Sequence, residues 1–482
     1  MGTNLNNSKR GALQPTFDHI DSSILVVEKD IESEKDVDND RISMSEEEFA
    51  VHEKSLAKKL DLTLVPVVWL LYLFNYLDRN NIAQSRLSTF EADLGLSGNQ
   101  FNVAVFILSI SYMLMQRPSH MLLTRPRAGI YIPVWTALWS CVSAATAGIS
   151  NYSHLLVIRF SLGIAEAPFF PGAMHLLSCW YPRKELALRT AILFSGALLA
   201  TAFSGLIVAG VLSGHEDFRG ITGWQWLFII ERAVLLQQSW GSCCFLTFLD
   251  RSRVLQNGCS QKRSKMPPWN ASGTGLKLSV KDLRTWTFVV MLMANHSAYG
   301  FNNFFPTIVK GFRLGNNTLT LVLTAPPYLL ATGVAFFTAW FSDRRKERGF
   351  HISVPQAVAC VGFIISVSTV NNAVRYAATF FYICGCFSSN AMVFSWTSST
   401  SNQTPEKRAC AMPIFNLLSQ TGNLWSPYFF RSKDEPRYVM ANLSMMASSA
   451  LSIATCVIMK IMLTRANKKL KAEGKDETSF TL

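Results

Sequence analysis

Apolar residues in this chain come in blocks long enough to cross a bilayer, and that excludes most folds. A hydrocarbon core about 30 Å thick is crossed by roughly 20 helical residues, and backbone amides inside it must pair within the protein. Eight such stretches stand out, near residues 101–123, 130–148, 154–180, 188–213, 285–309, 319–341, 374–396 and 439–463. Four less clean ones lie near 62–77, 225–249, 352–370 and 409–430. The expected protein is therefore all-α, with twelve transmembrane helices, called here the first to twelfth spans in chain order.

Orientation follows from the short loops, because basic residues accumulate on the cytoplasmic side. Loops after even-numbered spans carry Arg125 and Arg127; Arg183, Lys184 and Arg189; the stretch from Arg251 to Arg284; Arg344, Arg345, Lys346 and Arg348; and Lys407 with Arg408. Loops after odd-numbered spans are sparser, with no basic residue at 149–153 and only Arg219 near 213–224. Both termini are expected in the cytoplasm, of a protein that sits in the plasma membrane.

The net charge of +13 does not point to nucleic acid. Its basic residues are dispersed over loops between spans and form no contiguous patch. The lipid bilayer explains them. None of the ten cysteines forms a pair at zinc-site spacing, and Cys384 and Cys386 sit inside a span, so neither a metal nor a disulfide framework is expected. No Walker motif is present, which argues against an ATP-driven pump. Neither an enzyme activity nor a cofactor is expected.

Residues 1–58 are polar and mostly acidic, and read as a disordered cytoplasmic tail. Residues 59–249 form a first six-helix half. From 250 to 284 the chain turns basic and poor in periodicity, as in Gln261-Lys-Arg-Ser-Lys-Met-Pro-Pro268, and reads as a cytoplasmic linker. A second half follows over 285–463, and 464–482 is a C-terminal tail. Two six-helix halves suit a transporter built from structural repeats, with its substrate site at midplane between them. A weak echo of the repeat is visible, because Leu123-Thr-Arg-Pro-Arg127 after the second span corresponds to Ser342-Asp-Arg-Arg-Lys-Glu-Arg348 after the eighth.

Within the fourth span, Arg159 and Glu166 lie seven residues apart in an otherwise apolar run. Each charge at membrane depth costs roughly 2.5 to 3.5 kcal/mol, so such residues are candidate functional sites. Seven positions on an α-helix return to within about 20° of one face, so the two side chains project together. They form either a purely architectural ion pair or a site that handles an anion, a proton or both.

Several local motifs resemble the major facilitator superfamily, and within it the fungal allantoate and nicotinate permease group of the anion:cation symporters. They include Asn75-Tyr-Leu-Asp-Arg-Asn-Asn-Ile82, the fourth-span run from Arg159 through Glu166 to Gly172, and Trp180-Tyr-Pro-Arg-Lys-Glu-Leu186. In the second half they are Phe304-Phe-Pro-Thr-Ile-Val309, Thr324-Ala-Pro-Pro-Tyr328, Ser342-Asp-Arg344, Thr404-Pro-Glu-Lys-Arg408 and Ser426-Pro-Tyr-Phe429. The resemblance covers about residues 60–231 and 278–465. It lapses at Arg232, where the family has a small residue after Glu231, and over 232–270, as a shifted reading frame or a mispredicted intron would cause.

The resemblance implies that Asp78 and Glu166 are the proton-coupling carboxylates, with Arg159 as the switch that holds or releases Glu166. It also implies that Tyr76 and Arg79 contact substrate; an arginine fork suits a small organic anion. Trp396, Asn416 and Asn423 occupy plausible cavity positions, although helix-to-helix hydrogen bonds would explain them as well. His296, Asn302 and Asn303 are weaker candidates. Asp343 and Arg344 match the superfamily's cytoplasmic loop motif, which latches neighbouring helices. The implied function is import of a small carboxylate-bearing nutrient with protons, by alternating access, in a monomeric protein. An inactive or receptor-like membrane protein, or a uniporter or exporter on the same fold, would share most of these features.

Overall fold

The computed structural model describes residues 46–97, 99–123, 128–181, 183–215, 220–232, 277, 279–345, 347–400, 414–435 and 437–472. Most of the expected N-terminal tail and linker, the sixth span beyond Arg232, the Lys407–Arg408 loop and residues 473–482 lie outside them. The chain divides within the first helix, into a unit ending at Leu64 and a larger unit, Val65–Leu482, that holds the other helices.

Among the described residues there is no β-strand, and each of the twelve expected spans contains helix. Seven of the described helices are long and apolar enough to cross a membrane: Lys58–Ser85, Tyr152–Met174, Ile192–Val211, Asn317–Arg345, Gly349–Ser368, Asn372–Thr397 and Val439–Ala472. The second span is the helix Gln100–Leu123 and the third the shorter Ala128–Ala144. The sixth is described only at its start, as helix over 223–232.

Caps and backbone breaks set the helix ends. Asn151 caps the fourth span, its side chain accepting from the His154 amide at 2.9 Å, which satisfies one of the orphan donors of the first turn. Asp282 does the same for the seventh, accepting from the Arg284 amide at 3.0 Å. The fourth span is interrupted after Glu166, where Ala167 and Pro168 separate helix Tyr152–Glu166 from helix Phe169–Trp180. Proline removes a donor and crowds the carbonyl four residues back, so Glu166 sits at a built-in discontinuity.

The seventh and eleventh spans are also broken. The seventh runs as helix Leu283–Ala298, a 3-10 turn Gly300–Phe304 and helix Phe305–Gly311. The eleventh passes from helix over 414–419 to the short helix Gly422–Trp425 and the 3-10 turn Ser426–Phe429. Irregular backbone at membrane depth is tolerated where it is buried in protein or lines a cavity. These two breaks face each other closely. A Cβ on Gly300 would lie 2.4 Å from the Ser426 Cβ, and one on Gly422 would lie 2.6 Å from the Met293 carbonyl.

Small residues likewise set helix crossings. Gly163 brings the fourth span onto the second, where a Cβ would meet the Leu108 carbonyl at 2.5 Å, and Gly385 brings the tenth onto the ninth, 2.2 Å from the Pro355 carbonyl. Between the halves, the helix Arg183–His215 packs along Asn317–Arg345, with Gly205 at a crossing that would place a Cβ 2.6 Å from the Leu321 carbonyl. Without a hydrophobic drive between helices in lipid, such close approach supplies the attraction.

At the end where the odd-numbered spans finish, a buried aromatic cluster ties the halves together. Phe304 stacks on Phe430 at 4.4 Å between ring centroids and meets Phe101 edge-on at 5.8 Å. The Asn102 amide donates to the Phe430 carbonyl at 3.4 Å, and Asn317 donates to the Leu87 carbonyl at 3.2 Å. Beyond this plug, toward the middle of the bundle, lies a cavity.

Candidate functional site

A cavity of about 150 Å³ lies between the halves, and the two walls differ in chemistry. The first half contributes all the charge, with phenols and two amides: Tyr72, Asn75, Tyr76, Arg79 and Asn80 from the first span, Tyr112 from the second, and Arg159 with Glu166 from the fourth. The second half contributes neutral amides and rings: His296, Tyr299, Asn302 and Asn303 from the broken seventh span, Asn390 and Phe394 from the tenth, and Asn416, Gln420 and Asn423 from the eleventh.

Glu166 pairs with Arg79, not with Arg159. The Arg79 Nε donates to Glu166 Oε2 at 2.7 Å, with the carboxylate side chain fully buried and the guanidinium side chain 22% exposed. Arg79 is also braced by aromatic faces, at 4.6 Å from the Tyr112 ring centre and 5.5 Å from that of Tyr76. A guanidinium over a ring quadrupole keeps favourable contacts when its carboxylate is drawn away. The other Glu166 oxygen, Oε1, has no hydrogen-bond partner among the described residues, and neither have Nε and Nη2 of Arg159. Arg159 and Glu166 do share the cavity face of one helix, as their spacing requires. In this conformation the direct partner of Glu166 is Arg79, which the first span brings nearer than helical periodicity within the fourth span could reveal.

Asp78 is fully buried and is not among the cavity-lining residues. Trp139 Nε1 donates to its Oδ2 at 2.7 Å, Ser143 donates to its Oδ1 at 2.7 Å, and Arg232 Nη2 contacts Oδ1 at 2.5 Å. Arg232 also reaches Glu231 at 3.3 Å, and Glu231 accepts from Asn81. Arg159 lies within electrostatic range of Asp78, Glu166 and Arg232. Arg79, Arg159 and Arg232 thus balance Asp78, Glu166 and Glu231, and a balanced cluster avoids an uncompensated charge in a low dielectric.

The second-half wall is held by an amide network. Tyr328 donates to Asn302 Oδ1 at 2.8 Å, and Asn302 donates across the cavity to Asn80 at 3.1 Å. Asn390 accepts from Asn295 at 3.0 Å, and Asn295 accepts from Gln356 at 2.5 Å. Asn423 donates to Gln420 at 2.7 Å. His296 Nδ1 lies 2.9 Å from the Leu292 carbonyl, and its ring packs against Tyr299 at 5.0 Å. Fixed amides of this kind both donate and accept, so they can orient a polar ligand without adding charge.

Tyr76, Arg79, Asn416 and Asn423 all line the cavity. Trp396 does not, which corrects its expected position: it is fully buried in a core cluster, edge-on to Phe288 at 5.5 Å. Its amphipathic ring suggested a polar surface, whereas the tenth span turns it toward Phe288, Phe415 and Met459. Tyr72, Tyr112, Tyr299, Asn390 and Gln420 were not anticipated. Each is a single polar or phenolic residue within a span, and which face it occupies depends on neighbouring helices.

At the turn between the eighth and ninth spans, Asp343 Oδ1 lies 3.8 Å from Arg348 Nη2, and Arg348 Nη1 donates to Ser399 on the tenth span at 3.1 Å. Burial lowers the Arg348 pKa, with Asp343 acting in the opposite direction. Arg344 sits over Trp340 at 5.5 Å, and Lys460 pairs with Glu347. This turn therefore ties the eighth, ninth, tenth and twelfth spans together at the end of the bundle where the even-numbered spans of the second half finish.

An all-helical, multi-pass membrane protein with a polar cavity between two halves has the architecture of a transporter. Comparison with known proteins gives the family. The profile of the Major Facilitator Superfamily matches residues 68–427, and the chain belongs to that superfamily. It is 28% identical over 438 residues to the high-affinity nicotinic acid transporter of Saccharomyces cerevisiae, covering 87% of this chain and 80% of that one. It is 29% identical over 451 residues to the major facilitator-type transporter hxnP of Emericella nidulans, covering 87% and 88%. Among solved structures it resembles a bacterial homologue of the human lysosomal transporter Spinster, with a TM-score of 0.63, 16% identity, and coverage of 83% and 96%. The D-xylose-proton symporter gives 0.61 at 12% identity, with coverage of 83% and 97%. At these identities the solved structures define the fold alone.

Proposed function

We propose that the protein imports a small organic anion together with a proton, and that the two compete for one arginine. The observation that carries this reading is the Arg79–Glu166 pair at the cavity wall, 2.7 Å apart. A substrate carboxylate that takes the Arg79 fork displaces Glu166, and a buried carboxylate without its cation binds a proton instead. Arg159 lines the same wall with two donors that have no partner among the described residues and offers the anion a second cation. The neutral amides opposite, Asn416 and Asn423 among them, would orient the rest of the molecule.

The yeast relative named as a nicotinic acid transporter makes a ring-bearing monocarboxylate a reasonable substrate. A cavity of about 150 Å³ favours a compact ion over a peptide. With the termini in the cytoplasm, the Phe101–Phe304–Phe430 plug closes the extracellular end, and the turn at Asp343 and Arg344 latches the cytoplasmic end in alternation with it. The protein would act as a monomer in the plasma membrane.

Uptake of labelled nicotinate and allantoate by yeast lacking its own carriers for them tests the reading. Uptake of at least one anion is expected to rise as external pH falls and to collapse when a protonophore is added. Uptake that is indifferent to both would support a uniporter, and no uptake of either anion would support a protein that does not transport.

A further inference from the structure

Of the three buried carboxylates among the described residues of the first half, two contact a residue that the sequence pattern marks as foreign. Arg232 stands where the resembling family has a small residue. It is 2% exposed and contacts Asp78 at 2.5 Å and Glu231 at 3.3 Å. Asp78 has both oxygens engaged, Oδ1 by Ser143 and Arg232 and Oδ2 by Trp139. Neither Asp78 nor Glu231 lines the cavity. Glu166 does, and it keeps one oxygen without a partner among the described residues.

We propose that Arg232 pins Asp78 as a static counter-ion, so that the coupled proton in this chain is carried by Glu166 alone. The inference rests on the symport reading. A proton carrier needs a lone pair that water or substrate can reach and a partner that can leave. Glu166 lines the cavity with one oxygen that has no partner among the described residues, and its partner Arg79 is 22% exposed and is the group the anion would take, so drawing Arg79 away opens the buried carboxylate to a proton. Asp78 meets neither. Its three donors come from the third and sixth spans, none of them at the cavity, and Arg159 adds a further positive charge nearby. The charged groups facing Glu166 are Arg79 from the first span, Arg159 from its own helix, and Asp78 behind them. Arg232 is thus a positioning residue: it relieves Asp78 of the role that its motif implies.

Infrared difference spectroscopy of the full-length protein in lipid, acid minus neutral pH, reads the carrier directly through the carbonyl stretch of a protonated carboxyl group. A band is expected in the unmodified protein, lost in Glu166→Gln and retained in Asp78→Asn and Glu231→Gln. Arg232→Ala is expected to add a second band, which the further substitution Asp78→Asn removes. Loss of the original band in Asp78→Asn or Glu231→Gln, its persistence in Glu166→Gln, or its absence from the unmodified protein would each overturn the proposal, as would an Arg232→Ala spectrum identical to the original. Should Arg232→Ala fail to fold, the Asp78→Asn and Glu166→Gln spectra alone decide it. Failure of the symport reading would look different: uptake independent of pH, with these band assignments intact.

Discussion

Replacing Arg79 by glutamine is expected to weaken binding of the transported anion by about 10² to 10³-fold, the equivalent of roughly 3 to 4 kcal/mol, within the range lost when one partner of a buried charge pair is removed. Glutamine keeps a donor near the position of the arginine Nε but is two bonds shorter and offers no positive charge and no fork. The Tyr76 and Tyr112 faces that hold the guanidinium would then enclose a neutral amide. Arg79→Lys keeps the charge but loses the planar fork, and should fall between the two. Calorimetric titration of the purified protein with nicotinate, or with whichever anion the uptake assay identifies, gives the dissociation constants. A change of less than about threefold in Arg79→Gln, under 1 kcal/mol, would remove Arg79 from the substrate site.

The second large effect concerns energy transfer. In Glu166→Gln the amide can still accept from Arg79 but can no longer take up a proton. Accumulation against a gradient should therefore be lost, while exchange of internal for external substrate continues. For one proton moving with one monovalent anion, a pH difference of one unit supplies about 1.4 kcal/mol and sustains about tenfold accumulation. Such a cycle moves no net charge, so the membrane potential should not drive it. In proteoliposomes the unmodified protein is expected to approach that ratio, and Glu166→Gln to settle at equal concentrations inside and out. Accumulation by Glu166→Gln comparable with the original would place the proton on another group.

Much of the architecture is legible in the sequence because the bilayer imposes a length on each apolar run and a basic excess on alternate loops. The helix breaks are less visible. Pro168 marks the one beside Glu166, and Pro306 and Pro427 stand where the seventh and eleventh spans restart, but the close approach of the two breaks at Gly300 and Gly422 is revealed only by the partner span. The site divides along the same line. Tyr76 and Arg79 come from the motif resemblance, Asn416 and Asn423 stand out as polar groups in an apolar span, and all four line the cavity.

Pairings could not be read in the same way. A seven-residue spacing reports that Arg159 and Glu166 share a face, yet the bond is made by Arg79 from another helix. Trp396 was misplaced for a related reason, since an indole ring is compatible with either an interface or a core. Arg232 shows the opposite failure. A charge beside Glu231 in a predicted span looks like a defect in the pattern until the fold brings Asp78 to 2.5 Å from it, where it completes a balanced cluster.

The central claim is that substrate and Glu166 compete for Arg79, and proton uptake on binding tests it most directly. Substrate is added to the purified protein in a weakly buffered solution and the pH is followed. The account predicts that binding draws protons from solution, up to about one per bound anion as Glu166 is released, that Glu166→Gln abolishes this uptake, and that Asp78→Asn retains it. Binding without proton uptake, or uptake that survives Glu166→Gln, would contradict it.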